Sequence, residues 1–455
     1  MPELIDFIER AVTGPIFLEK DFNLKVLVPN IAETVKQFDI KYEKDFPIVS
    51  DNSLADRLFE GAVELITKTG IYCEDTSRII HIEKNEIEES IRRNPASVFG
   101  EGKERRELNV RKPDDSNLPW FHVGTGIVAS SEDIALAVVE GYGKIEEACS
   151  ISIPAFSKVH GLKVMGGSPL EILATINSVQ AGRKALMNAG RPGLPILNLI
   201  SSATTSVSTI AGSSHQFGLR SSDGWLIDFI SEMHINFESL NRLMFINLIG
   251  GNIGSTALPI LGGYAGGPAG TALVMIAYHI LGQVILNGNY HLTGPIHFTH
   301  GCSSTREALW VMSAVGRAIS RNTRYPAIGL GYAASGPATE MYFYETTALA
   351  LSIVTSGYAG IQTVHPAKAT IEDGVTPLEA RFTVDITEAI CGMTGKEAND
   401  IASKLLEKYE SRIPEAPQGK RFQECYDVEK IKPLDDYKRL YDKVKDELTE
   451  IGIKL

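Results

Sequence analysis

The chain has 455 residues, 44% of them hydrophobic, enough for a large core; its formal net charge of −12 argues against nucleic acid or an anionic membrane as principal partner. Five cysteines, Cys73, Cys149, Cys302, Cys391 and Cys425, are far apart and odd in number, which points to unpaired thiols in a reducing cytoplasm rather than a disulfide framework. The start, MPELIDFIERAVTG, has acids where a signal peptide carries Lys or Arg, and no stretch reaches the roughly 20 apolar residues of a bilayer span.

Residues 1–115 read as a charged, helical extension. In DNSLADRLFEGAVELITKTG, Leu54, Leu58, Ala62, Leu65 and Ile66 share one helical face, Asp51 to Ser53 offer capping oxygens, and Gly70 stops the helix. A second amphipathic stretch runs from Glu83 to Arg93. From 116 to 395 short apolar runs end in Gly, Ser or Thr and alternate with helix-length segments: WFHVGTG, LPILNLISS, LMFINLIGG, GPIHFTHG, YPAIGLGYAASG and IQTVHPAK. Such runs imply a parallel sheet covered by helices, and their number favours an α/β fold of the closed (β/α)8 barrel type, whose chemistry sits at the carboxyl ends of the strands. Residues 396–455 return to helix, with Tyr437, Leu440, Tyr441, Val444 and Leu448 on one stripe.

Several motifs carry potential chemistry. His291, His297 and His300 match no zinc spacing, so no metal site is expected and structural histidines are the better reading. GTGIVA at Gly124 and GLGYAA at Gly329 fit G-x-G-x-x-A, but the first meets its Ser-Ser-Glu-Asp helix start only after a gap and the second lies deep in the barrel region, which disfavours a dinucleotide site. Lys368 in VHPAK and Lys163 in HGLKVMG follow apolar runs and would serve a Schiff-base lyase, although such lysines are more often solvated. IDFISEMHINFE, with Asp228, Glu232, His234 and Glu238, reads most simply as an amphipathic surface helix; as a strand it would line up 228, 230, 232 and 234. In GGYAGGPAGTA, the glycines around Tyr264 let the backbone approach a cofactor or a neighbouring subunit closely.

In order, GIYCEDTSRII, LNVRK, GRPG, LPILGGYAGG, HLTGPIHFTHGCSSTRE, GPATEM, LEAR and APQGKRFQECYDV resemble the archaeal monomethylamine methyltransferases of methylotrophic methanogenesis, from about residue 40 to the end. The resemblance implies a β/α barrel, assembled as a homohexamer. It implies methyl transfer from a small methylated substrate to the Co(I) corrinoid of a separate partner protein docked over the mouth, with no tightly bound cofactor. Glycines Gly262, Gly263, Gly266 and Gly267, with Tyr264, become candidates to meet that cofactor. Counting from GRPG, the family's pyrrolysine falls on Leu197, beside Asn198, and no pyrrolysine is present. Thr256 and Leu330 stand where a glutamate and a glutamine are expected, whereas Glu232 and Tyr332 match the family's acid and tyrosine. The reading is a pyrrolysine-independent, corrinoid-dependent methyltransferase. Glu232 and Tyr332 act on a donor that needs no covalent capture, such as a quaternary ammonium or an O- or S-methyl compound. Leu197, Asn198, Thr256, Leu330 and Trp225 form its pocket. The rivals are a non-catalytic barrel that binds a corrinoid protein and the lysine-dependent lyase.

Overall fold

The computed structural model describes residues 2–126, 128–197 and 204–455. Seven parallel strands form one sheet: β1 Trp120–Val123, β2 Ser150–Ile151, β3 Gly224–Asp228, β4 Asn252–Ala257, β5 Tyr290–Thr293, β6 Ala327–Gly329 and β7 Gly360–Gln362. Their spatial order is β3-β4-β5-β6-β7-β1-β2. The segment 195–197 joins the two open edges. Leu197 N–H donates to the Ile151 carbonyl and Gly224 N–H to the Ile196 carbonyl, each at 3.0 Å, and Ile196 bridges Ile151 in parallel. The ring is closed.

The join between the two edges rests on a buried ion pair. Ile196 N–H donates to the Asp223 carboxylate at 2.9 Å instead of to a neighbouring strand. Asp223 is buried against the Arg183 guanidinium, whose Nη1 also donates to the Leu194 carbonyl at 3.0 Å. A salt-bridged carboxylate thus does the work of a strand edge.

Inside the ring, small residues make room for one large ring. A Cβ on Gly254 would fall 2.3 Å from Tyr290 Cζ, and one on Gly224 would meet both the Tyr290 hydroxyl and Leu197 Cδ2. Alternation of large and small side chains in this way fills a barrel interior without a pore. Helices follow the strands, and Thr305, Thr339 and Thr376 cap the starts of Arg306–Asn322, Glu340–Val354 and Pro377–Ile390.

The terminal helices cover barrel helices that are themselves buried. Asn52–Thr69, capped by Asp51 and ended by Gly70, packs on Pro268–Val284 and Arg306–Asn322. Its residues Leu54, Leu58, Ala62, Leu65 and Ile66 are all buried, as the stripe predicts. Gly395–Tyr409 and Asp435–Glu450 cover Glu340–Val354. No helix among the described residues is long and apolar enough to cross a membrane.

Three expectations need correction. LMFINLIGG is no strand but the end of helix Phe237–Ile249; Asn236 caps its start, Gly250 turns left-handed at its close, and Leu243 and Ile246 are buried while Leu248 is exposed. GPIHFTHG lies beyond its barrel strand: Tyr290–Thr293 ends before Gly294-Pro295, and Ile296–His297 pairs instead with Ile260–Leu261 in a small ribbon. IDFISEMHINFE is not a surface helix, because Gly224–Asp228 is the barrel strand β3 and the helix starts only at Phe237.

Candidate active site at the barrel mouth

A cavity of about 220 Å³ opens where the strands end. Four leucines, Leu226, Leu258, Leu292 and Leu330, form its apolar walls. Asp228 and Thr256 enter from the ends of β3 and β4, where they are register partners. Thr256 Oγ1 donates to the Leu292 carbonyl at 2.9 Å, so its hydroxyl proton is already used. Asp228 is held from behind: Arg242 Nη1 donates to its Oδ2 at 2.9 Å, and its side chain remains about half exposed.

The opposite wall is aromatic and amide. Tyr332 and His365 stack with centroids 4.4 Å apart and planes 20° apart, and the backbone joins them through a parallel bridge. Burial drives the His365 imidazole down to about 3, so the ring is neutral near pH 7, and pushes the Tyr332 phenol up to about 12, so it keeps its proton. Gln362 Nε2 donates to the Gly124 carbonyl at 3.2 Å. Its Oε1, like His365 Nδ1, is buried with no hydrogen-bond partner among the described residues. Below them His122 bridges Ser150 Oγ and Ser152 Oγ at 2.8 and 2.9 Å and keeps Ser152 at the cavity edge.

The structure brings together Thr256, Leu330 and Tyr332 of the residues singled out from the sequence. Glu232 takes another place. It is 2% exposed, its Oε1 accepts from Ile260 N–H at 2.7 Å, and its Oε2 accepts from Ala265 N–H. Burial raises this carboxyl to about 7 against the pull of those two donors. Both oxygens therefore anchor the glycine loop instead of facing the cavity.

That loop is a closed turn, with Gly262 N–H donating to the Gly266 carbonyl at 2.8 Å and Gly262 at φ 95°. Tyr264, Gly266 and Gly267 border an apolar groove shared with Val28, Ile31 and Val35 of the chain's own N-terminal region, and Gly263 packs on Ile260. Leu197 is fully buried and packs on Gly224, one inward position before the cavity-lining Leu226; it does not itself line the cavity. Trp225 lies between two inward residues of β3 and points outward, where its Nε1 donates to Ser213 Oγ at 2.8 Å. Asn198 lies outside the described residues.

Of the three histidines, His291 is buried with Nδ1 2.6 Å from Ser255 Oγ, while His297 and His300 pair at the rim with centroids 4.7 Å apart. No group of three His, Cys, Asp or Glu able to hold a metal occurs among the described residues. Lys163 is exposed on a two-residue strand, Lys368 stands at φ 59° in a loop, and neither lines the cavity. Asp228 was noted only within IDFISEMHINFE, read there as a surface helix, and Gln362 and His365 were not singled out. A signal for the last two was available, since both directly follow the apolar run of IQTVHPAK, at the strand end where barrel chemistry gathers.

Fold and site define a β/α-barrel enzyme that handles a small molecule at the barrel mouth. The family model "Monomethylamine methyltransferase MtmB" matches residues 3–453. Monomethylamine methyltransferase MtmB2 of Methanosarcina acetivorans is 30% identical over 450 residues, covering 98% of this chain and 97% of the relative. MtmB of Methanosarcina mazei is 31% identical over 452 residues, with the same shares covered. The crystal structure of Methanosarcina barkeri MtmB superposes with a TM-score of 0.95 at 29% identity, covering 99% of this chain and 98% of that one. The chain belongs to the monomethylamine methyltransferase family, and it is a methyltransferase.

Proposed function

We propose that this chain moves a methyl group from a small methylated compound to the Co(I) corrinoid of a partner protein, without pyrrolysine. The observation that carries this reading is the leucine-walled cavity at the mouth, with a neutral Tyr332–His365 face on one side and no electrophilic side chain at Leu197. Capture of an amine needs an electrophile; direct displacement does not. In the direct route the cobalt electron pair forms the Co–C bond while the C–N pair leaves with nitrogen, and a quaternary ammonium departs as a neutral tertiary amine.

The protein's part is to orient and to desolvate. The leucine walls exclude water from the reacting carbon, and holding donor and acceptor in line accounts for as much as ~7–11 kcal/mol of barrier lowering in favourable cases. The Tyr332 ring offers a cation an attraction of about 0.5–2 kcal/mol. Neutral O- and S-methyl donors suit the same apolar walls. The assembly implied by the family resemblance is supported by Val207, Ile210 and Leu248, apolar and exposed on two neighbouring helices. The test is anaerobic incubation with a reduced corrinoid protein and a panel of methylated compounds, read as methyl appearing on cobalt. Transfer from at least one donor is expected; tight binding of the corrinoid protein with no transfer from any donor would establish the non-catalytic alternative.

A further inference from the structure

Two polar groups at the mouth are each fixed on one side by the protein and leave one oxygen without a hydrogen-bond partner among the described residues. Gln362 is 2% exposed, so an unpaired oxygen there is costly unless something donates to it. Its amide cannot turn to hide the oxygen, because Nε2 is engaged with the Gly124 carbonyl at 3.2 Å. Asp228 presents a similar asymmetry: Arg242 engages Oδ2, while Oδ1 has no partner among the described residues. Arg242 stands behind the acid on helix Phe237–Ile249, also reaching the Thr204 carbonyl at 3.4 Å, so it positions the carboxylate without covering it. Asp228 is the one carboxylate among the described residues lining the cavity. Leu226, Leu258, Leu292 and Leu330 give the apolar part of the wall, which takes methyl groups, beside the stacked Tyr332–His365 face and Ser152.

We propose that Asp228 and Gln362 are the donor-binding pair of this cavity: Asp228 faces an ammonium charge, and Gln362 Oε1 accepts from an N–H or O–H on the same molecule. The cavity therefore selects a methylated ammonium that retains a hydrogen-bond donor over a fully capped cation or a neutral compound. A tertiary ammonium supplies that donor through its N–H, and a hydroxyalkyl quaternary ammonium through its O–H. This rests on the proposed function for the site's role and goes beyond it in naming what the site discriminates.

The test is calorimetric binding to the full chain alone, at neutral pH, with trimethylammonium, choline, tetramethylammonium and dimethyl sulfide. Trimethylammonium or choline should bind about tenfold tighter than tetramethylammonium, the difference set by one buried acceptor left unpaired. Asp228→Asn should weaken every bound cation about tenfold and dimethyl sulfide less than about twofold. Gln362→Met should erase the preference over tetramethylammonium; it disturbs no ion pair and keeps the test intact if Asp228→Asn does not fold. Equal binding of all three cations, no cation binding, or equal loss for cations and dimethyl sulfide in Asp228→Asn would overturn the proposal. Methyl transfer from a neutral donor without cation binding removes this inference alone, whereas cation binding in the expected pattern without transfer removes the proposed function alone.

Discussion

At Glu232 the sequence shows an acid in a family position, and the structure shows what burial makes of it. Its carboxyl titrates near 7, above its ordinary range, because desolvation outweighs two backbone donors. A group whose folded value is raised contributes stability that is full below its unfolded value and lost as pH rises through its folded value. Denaturant titrations should therefore show the wild type losing stability between about pH 4.5 and 7 relative to Glu232→Gln; parallel pH profiles would contradict this assignment. Leu197 makes a second test. Since it is fully buried against Gly224, Leu197→Ala should cost about 2–5 kcal/mol in chemical denaturation. A loss below about 1 kcal/mol would mean that the site repacks freely. Part of the cavity lining was legible at this scale: Thr256, Leu330 and Tyr332 meet there, while Glu232, Leu197 and Trp225 lie elsewhere. Trp225 was not placed correctly, because period-2 alternation turns it outward once 224–228 is known to be a strand.

Among the elements, runs with apolar ends read well and runs rich in small residues did not. WFHV and the apolar part of IQTVHPAK carry β1 and β7 because both faces of these strands are buried. NIGSTA, which forms β4, escaped notice because Gly254 and Ser255 replace bulk with space for Tyr290 and a bond to His291. Thr204 and Thr205 are held by an acid of the preceding helix. Glu171 accepts from the N–H and hydroxyl of both Thr204 and Thr205 and from Gly167 N–H. Burial alone would raise its carboxyl, but these donors prevail and hold it down to about 2. A depressed acid contributes stability that is full above its unfolded value and lost as pH falls through its folded one. Glu171→Gln should therefore be destabilised relative to wild type at neutral pH, with the gap closing as pH falls from about 4.5 toward 2. A gap independent of pH would show that Thr204 and Thr205 are held by other contacts.

For the whole molecule, beside a small separate cluster of Ala129, Ala135, Phe156 and Ala181, the closed ring and its helical covers share one large core with members from Leu4 to Ile453. The last helix is tied into it by Tyr437, whose hydroxyl donates to the fully buried Glu379. Tyr437→Phe leaves that carboxyl with an unmet acceptor and should lower stability by about 1–3 kcal/mol in a single cooperative transition. Two separated transitions would show instead that the terminal helices fold on their own. The barrel was legible from its alternating runs, LPILNLISS at the closure among them, whereas the Asp223–Arg183 pair that holds Ile196 was not, because a salt-bridged carboxylate leaves no periodicity to detect.

The proposed function has the barrel transfer a methyl group with leucine at the position where the resemblance places the family's electrophile. It is tested most directly by following the Co(I) spectrum of a reduced corrinoid protein, under anaerobic conditions, after adding this chain and methylated ammonium compounds. The account predicts that Co(I) absorbance disappears as methyl-Co(III) forms, only when the chain and a donor are both present. Co(I) that persists with every donor, despite a bound partner, would contradict it.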